Sequence, residues 1–326
     1  MSAFVIRRLI QSLIVLAIMS VIVFFGVSVV GDPVHMFASP DATQAEIDQV
    51  IAQFGLDKPV WVQYFNFVTG ALQGDLGKSF TFGEPALGVI LQRMPATMEL
   101  AFAALLLAIV IGLPLGLYAG LHPESPVSRI IMTGSIFGFS LPTFWVGIML
   151  MMVFAVMLGW VPATGRGDTV ELFAGLRLSL FTADGLSHLA LPAVNLALLK
   201  ISLVIRLTRA GVREAFMQDY IKFARAKGLS DARVIGVHLL KNILIPVITV
   251  LGLEFGSLIA FSVVTETIFA WPGMGKLLIE AIITLDRPII VAYLLMIVLL
   301  FVIINLLVDV IYSLLDPRVR LQQAAA

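Results

Sequence analysis

The chain has 326 residues, 60% of them hydrophobic and only 13% charged, with a mean hydropathy of +1.02, whereas a soluble domain carries about 25% charged residues. Its 21 basic and 21 acidic side chains leave no net charge, so nothing points to nucleic acid, and the absence of cysteine excludes disulfides, thiol chemistry and cysteine-based metal sites. The apolar residues gather into runs long enough to cross a bilayer, which predicts an all-α integral membrane protein.

Residues 9–30 form the first run, with nothing more polar than Gln11, Ser12, Ser20 and Ser28. Arg7 and Arg8 precede it as they would a signal peptide, but the run is too long for a signal core and no A-x-A cleavage pattern follows, so it reads as a retained helix. Residues 31–95 then make a long loop in which Asp32, Asp41, Glu46, Asp48, Asp57, Asp75 and Glu84 outnumber Lys58, Lys78 and Arg93, the pattern of a solvated cap. Inside it, residues 42–54 place Ile47, Val50, Ile51 and Phe54 at helical spacing. The stretch GDLGKS at 74–79 ends like a phosphate-binding loop. That motif requires glycine where Leu72 stands, and no strand pattern precedes it.

Residues 100–121 are the second uncharged run, and residues 130–161 the third, with Pro142 in the middle implying a kink or break. Residues 186–210 form a weaker fourth, since Lys200, Arg206 and Arg209 enter its second half. The fifth, 239–268, has Pro246 near its start and Glu254 near its centre, and the sixth, 288–308, ends at Asp309. Six spans put both termini on one side. Arg7, Arg8, Arg129, the basic cluster from Arg206 to Lys241, and Arg318 and Arg320 fall on that side, which by the positive-inside rule is the cytoplasm.

Catalytic patterns are missing. His35, His122, His188 and His238 are scattered and form no H-E-x-x-H pair, and there is no G-x-S-x-G elbow. Charges inside a membrane are functional candidates by default, so Glu254, Lys200, Asp309 and Glu99 are the residues an ion-coupled secondary transporter would use. Asp309 and Lys200 lie close enough to the inner boundary to snorkel or pair, and Glu99 sits at the outer end of its run. That leaves Glu254 as the candidate for lining a pathway or serving as a buried partner to a neighbouring helix.

Between the fourth and fifth runs stands DYIKFARAKGLSDAR at 219–233. Phe216, Tyr220 and Phe223 fall at i, i+4 and i+7 and predict one apolar helix face, with Lys222, Arg225 and Lys227 pointing elsewhere. Gly228 is suited to the left-handed position that ends a helix, and Ser230 to the N-cap of a second helix leading into the fifth run. The result is a helix, a sharp turn and a helix. An amphipathic surface helix on anionic lipid is one reading; a rigid bent knob fitted to a protein socket is the other, favoured by its shape.

This segment resembles the ATPase-docking loop of ABC importer permeases, although Lys222, Phe223 and Ala224 stand where the general pattern has E-A-A, and Pro246 is displaced. ARAKGLS followed by H-x-L-x-N-x-x-x-P-V, residues 238–247, is similar to the variant in dipeptide and oligopeptide importers. So are GDP at 31–33, GLDKP at 55–59, GDLGKSF at 74–80, RMPATMELA at 93–101, SLPTFWVG at 140–147, TETIFAWPGMG at 265–275 and NLLVDVIYSLLDPRVR at 305–320, which resemble the B-type permease of that family. The resemblance implies a type I ABC importer permease with six transmembrane helices. It divides into a first helix and acidic loop at 1–92, a five-helix core at 93–315 with a coupling loop at about 213–238, and a cytoplasmic tail at 316–326. It implies residence in a bacterial inner membrane and a docking loop of Lys222, Phe223, Ala224, Arg225, Ala226, Lys227, Gly228, Leu229 and Ser230. The implied partners are a second homologous permease in a heterodimer, two ABC ATPases holding ATP and Mg, and an extracytoplasmic solute-binding protein. The resemblance also implies that the chain itself binds no cofactor or metal and that it takes part in importing peptides or related small solutes by alternating access.

In TETIFAWPGMG, Pro272, Gly273 and Gly275 argue against a regular helix while Phe269 and Trp271 stay apolar. An interfacial aromatic anchor is one reading. A re-entrant outer loop lining or closing the pathway, with Phe269, Trp271, Pro272 and Gly273 as its gate, is the favoured one, because irregular backbone at membrane depth persists where it is buried or borders a cavity.

Overall fold

A computed structural model of the protein describes residues 2–29, 43–53, 57–173 and 175–315. The GDP motif, Asp32, Asp41, Phe54, the start of GLDKP, and the tail with Arg318 and Arg320 lie outside the described residues. In chain order the helices are α1 (Ser2–Val29), α2 (Gln44–Gln53), α3 (Val60–Leu72), α4 (Ala86–Leu121), α5 (Pro126–Ser140) and α6 (Thr143–Leu150), the last continuing as a π-helical turn, Met151–Met157. A hairpin of β1 (Val170–Phe173) and β2 (Leu176–Leu178) follows. Then come α7 (Ala183–Phe216), α8 (Asp219–Ala226), α9 (Asp231–Arg233) with a π-helical segment Val234–Leu239, α10 (Leu240–Ile268), α11 (Met274–Ile283) and α12 (Arg287–Leu315).

Among the described residues, five helical stretches are long and apolar enough to cross a membrane: Ile6–Val29, Ala86–Leu121, Ala183–Phe216, Asp231–Ile268 and Arg287–Asp309. The third apolar run of the sequence is two helices, α5 and α6 with its π turn, meeting at 106°, and counts as a sixth span only if the bent pair is taken as one. The break has a local cause: a proline disfavours helical backbone in the residue before it, and Leu141 is extended at φ −82°, ψ 136° while Pro142 caps α6. Pro246, by contrast, is absorbed inside α10. The short hairpin is a local addition to a chain that is otherwise helical as expected, antiparallel with Val170 opposite Leu178.

The chain forms two compact units, residues 1–97 with 272–302, and residues 98–271 with 303–326. In the first, α3 packs on α1 through Phe24, whose ring lies 5.4 Å from those of Tyr64 and Phe67, and through a 2.9 Å hydrogen bond between Ser20 and Tyr64 hydroxyls. After α3, GDLGKSF turns on Gly74 and Gly77 at φ 84° and 90°, conformations glycine adopts without steric cost. It follows a helix, not a strand, and its Ser79 hydroxyl donates to the buried Asp286 carboxylate at 2.5 Å, with Thr81 N–H adding a second bond at 3.0 Å.

In the second unit, α7 is the central helix, packing against α5, α6 and α10. Apolar contacts alone gain little between helices already in lipid, so close backbone approach has to supply the packing. The glycine stripe of α4 does this. A Cβ at Gly112 would come within 2.7 Å of Val204, at Gly116 within 2.7 Å of the Ile205 carbonyl and Thr208 Cβ, and at Gly120 within 2.6 Å of Val212.

Candidate functional site

The basic segment after α7 forms the bent element its glycine announced. α8 ends at Ala226, and Gly228 takes φ +74°. Its N–H bonds the Arg225 carbonyl at 2.9 Å and the Leu229 N–H the Ala224 carbonyl at 3.3 Å, the paired hydrogen bonds of a Schellman motif. Ser230 occupies the first cap position of α9 with extended backbone. Contrary to expectation, its side chain makes no capping bond; its carbonyl does the work, accepting from Arg233 and Val234 at 2.9 and 3.0 Å.

The predicted apolar face also needs correction. α8 buries Ile221 and Ala224, three residues apart, in a cluster with Val212 and Ala215 of α7, Val234 and Leu239 of the π segment, and Ile243 of α10. Tyr220 and Phe223 each precede a buried residue by one position, about 100° round a helix, and so stand outward at 38% and 61% exposure beside Met217 at 78%. Cations gather around these rings: Lys227 lies 4.6 Å from the Phe223 ring and Arg225 lies 4.5 Å from that of Phe216, while Arg225 also reaches Asp231 at 4.0 Å. Lys222 donates to Asp219 at 2.9 Å, and that hydrogen bond with the lysine's charge holds the Asp219 carboxyl below its ordinary value. Ala226 is exposed, Leu229 half-buried.

Glu254 of α10 is bound to Lys200 of α7, and Ser257 joins both, donating to Glu254 at 2.8 Å and accepting from Lys200 at 2.9 Å. Phe269 lies about 22 Å further along, at 1.5 Å per residue over fifteen residues, so Glu254 and Phe269 are not in contact. Phe269 and Trp271 are fully buried, at 1% and 0% exposure, unlike aromatic rings that face lipid headgroups. The turn that buries them is another Schellman motif, Trp271 N–H to Glu266 at 2.8 Å and Ala270 N–H to Thr267 at 3.3 Å, with Ala270 at φ 48° in place of a glycine. The irregular stretch is shorter than the sequence suggested. Gly273 already caps α11 with extended backbone, directly after Pro272, and Gly275 lies within that helix.

One constellation was missed by reading the sequence. Glu99, 3% exposed, accepts four hydrogen bonds: Arg166 Nε and Nη2 at 3.0 and 2.6 Å, and the N–H groups of Ser179 and Leu180 at 2.6 and 2.8 Å. Arg166 also donates to the Arg177 carbonyl at 2.6 Å and lies 5.8 Å from the Trp271 ring, while Gly165 N–H bonds the Phe269 carbonyl at 2.9 Å. A carboxylate at the edge of an apolar run demands a cation, and Arg166 was the signal available. Nearby, Asn195 of α7 donates to Thr265 of α10 at 3.0 Å. Among the described residues no cluster of three His, Asp or Glu side chains is placed to hold a metal.

Comparison with known proteins gives this geometry its context. Two adjoining families match, "Binding-prot-dependent transport system membrane comp, N-term" over residues 1–101 and "Binding-protein-dependent transport system inner membrane component" over residues 112–321. The chain is 40% identical to the di/tripeptide transport system permease protein DppB of Pseudomonas aeruginosa, covering 92% of this chain and 96% of that one. It is 37% identical to the oligopeptide transport system permease protein AppB of Bacillus subtilis, over 98% and 100%. Among solved structures, an inward-facing form of the MetNI methionine ABC transporter shares the fold, with a TM-score of 0.55, 16% identity, and coverage of 71% of this chain and 97% of that one. With both families matched in sequence order and relatives aligned over nearly its full length, this chain belongs to the inner-membrane components of binding-protein-dependent transport systems.

Proposed function

We propose that this chain is one of two related permease subunits of an ATP-driven importer of di- and oligopeptides or similar small solutes, with both termini in the cytoplasm. The substrate class follows the relatives, which carry di-, tri- and oligopeptides. The observation that carries the mechanism is α8: an exposed aromatic and cationic knob, Tyr220, Phe223, Lys222 and Lys227, whose opposite face is buried against the ends of α7 and α10. Such an element fits a cleft on an ATPase subunit and passes that subunit's motion to the membrane helices. The chain has no ATP site of its own in this reading, and two partner ATPases hold ATP and Mg. A binding protein delivers the solute on the other side, where residues 269–273 and the Glu99 node stand near the pathway mouth. An ion-coupled carrier built on Glu254 finds no support in the relatives.

The test is reconstitution in liposomes with the second permease, both ATPases and the binding protein. Peptide uptake should require ATP and every subunit. Gly228→Val keeps the open space around that Cβ but forces a β-branched residue into left-handed backbone, and should leave an assembled complex whose ATP hydrolysis no longer drives uptake. Uptake by the chain without ATPases, or normal uptake by Gly228→Val, overturns the reading.

A further inference from the structure

The bend between α5 and α6 lies beside the middle of a spanning helix. Gly138, near the end of α5, would bring a Cβ within 2.9 Å of Ser202 Oγ, and Gly147 of α6 would bring one within 3.3 Å of the Asn195 amide nitrogen. Asn195 stands twelve residues after the start of α7 at Ala183, and Ser202 fourteen before its end at Phe216. At that level a broken helix frees backbone groups that lipid cannot satisfy. Leu141 N–H reaches the Phe137 carbonyl at 3.2 Å and Val146 N–H the Pro142 carbonyl at 3.1 Å. Among the described residues nothing donates to the carbonyls of Gly138, Phe139, Ser140 and Leu141, and α6 has no side-chain cap. Ser140, Leu141 and Pro142 are exposed, so the chain does not cover the break itself.

A second polar group is unanswered close by. Asn195, 1% exposed, donates its amide N–H to Thr265 at 3.0 Å, while its carbonyl oxygen is buried without a donor. An acceptor buried in this way costs about 1–3 kcal/mol. The Gly147 position that meets the Asn195 amide also lies 3.3 Å from the Phe269 ring, so α6 joins the orphaned oxygen to the outer turn on one side and to the break on the other.

We propose that residues 138–142 and the Asn195 amide line the solute passage inward of Phe269, where they give hydrogen-bond partners to the amide groups that every peptide carries. The proposal rests on the transport reading and adds the part of this chain that the solute meets. Irregular backbone persists at membrane depth where it borders a water-filled cavity, and water in such a cavity satisfies the freed carbonyls until a peptide replaces it. Withdrawal of Phe269 from α6 uncovers the Asn195 oxygen for a peptide N–H. Backbone carbonyls and an asparagine oxygen accept from any peptide N–H whatever its side chains, and the exposed rings of Phe137, Phe144 and Trp145 beside the break suit apolar side chains.

The chain has no cysteine, so single cysteines introduced at exposed positions report their own surroundings. Ser140→Cys and Leu141→Cys at the break, with Leu13→Cys on α1 and Val110→Cys on α4 as exposed positions within spans, would be placed in the complete transporter in liposomes. A charged methanethiosulfonate would be added during ATP hydrolysis and its attachment to this subunit followed by mass. The two break cysteines should react at least about tenfold faster than both controls, since apolar surroundings raise a thiol's pKa and each unit removes about tenfold of the reactive thiolate. Trialanine under uptake should slow the break cysteines, and Asn195→Leu, which keeps the volume and loses the amide, should weaken that protection. Break cysteines no faster than the controls overturn the proposal, as does their crosslinking to the second permease without labelling, which would make the break a subunit interface. Labelling that trialanine leaves unchanged while it is being taken up overturns it too. Trialanine uptake by the unsubstituted complex tests the transport reading separately, and the labelling rates decide this proposal whichever way that comes out.

Discussion

Removing the Glu99 carboxylate is the sharpest perturbation of the outer end. Glu99→Ala leaves the Ser179 and Leu180 N–H groups without their acceptor, and Arg166 without its only carboxylate among the described residues. Breaking a buried ion pair from one side costs about 3–5 kcal/mol. Arg166 keeps its bond to the Arg177 carbonyl and 13% side-chain exposure, which places Glu99→Ala at the low end, about 3 kcal/mol. At about 1.5 °C per kcal/mol, from about 2.1 cal/mol/K of unfolding entropy per residue over 326 residues, the apparent melting temperature of the chain should fall by about 4 °C. Arg166→Ala should cost more, since the Glu99 side chain has no exposure through which water could replace its partner. Glu99→Gln keeps the shape but turns an N–H₂ group toward donors on either side, and should fall with Glu99→Ala. A thermal scan of the singles and the Glu99→Ala/Arg166→Ala double variant gives the cycle: the double should lose less than the sum of the singles, because each single strands the other's partner. Strict additivity, or a shift of under about 2 °C for Glu99→Ala, would refute the clamp.

Other consequences follow from the same geometry. Gly116→Leu puts a side chain where a backbone carbonyl and Thr208 Cβ already stand at 2.7 Å, so it should cost about 3 kcal/mol, the upper range for overpacking; Gly134→Leu, with nothing within 4 Å, is the control, and equal thermal stability of the two variants would count against the close approach of α4 and α7. Asp219 has its pKa lowered by the Lys222 hydrogen bond and charge, so the pair's contribution to α8 is complete above the unfolded-state value and disappears as pH falls through the lowered folded one. An NMR titration of labelled aspartate should show that midpoint rising in Lys222→Met; an unmoved midpoint refutes the assignment.

The helices were legible because a bilayer imposes a length and an apolarity that sequence displays directly. Their true ends were less so: α4 begins at Ala86 and α7 runs on to Phe216, both past the apolar runs, since a helix carries polar residues wherever neighbouring protein or water can meet them. Gly228 announced its turn because glycine is the usual left-handed residue. Ala270 and Leu285, at φ 48° and 50°, gave no such notice. Ser79 and Asp286, 207 residues apart, and Glu99 and Arg166, 67 apart, are paired only by the fold. The stripe Gly112, Gly116, Gly120 went unread in the sequence, although small residues four apart are a close-packing pattern, and only the fold shows which helix it meets.

The Lys200–Glu254 pair tests whether the middle of this protein is a relay or a brace. Ile221 and Ala224 share one cluster with the ends of α7 and α10, so a displacement of α8 has to move both helices. Lys200 lies twelve residues before Val212 and Glu254 eleven after Ile243, about 18 and 17 Å along their helices at 1.5 Å per residue. The pair with Ser257 therefore ties α7 to α10 a second time, within their apolar spans and away from the α8 cluster, so that the two helices are linked at two levels. A brace of this kind is replaceable: removing both charges with apolar groups of similar size is often neutral, while removing one leaves the other partly buried, at 17% or 28% side-chain exposure, and unanswered, at a cost below the about 3–5 kcal/mol of a fully buried pair. Glu254→Ala alone should thus lower both complex stability and uptake, and Lys200→Met/Glu254→Leu should recover most of each, measured as melting temperature and ATP-dependent peptide uptake in liposomes. A proton relay predicts the opposite for transport, because no apolar pair can carry a proton. A stable double variant with no uptake would sink the brace and return Glu254 to the pathway.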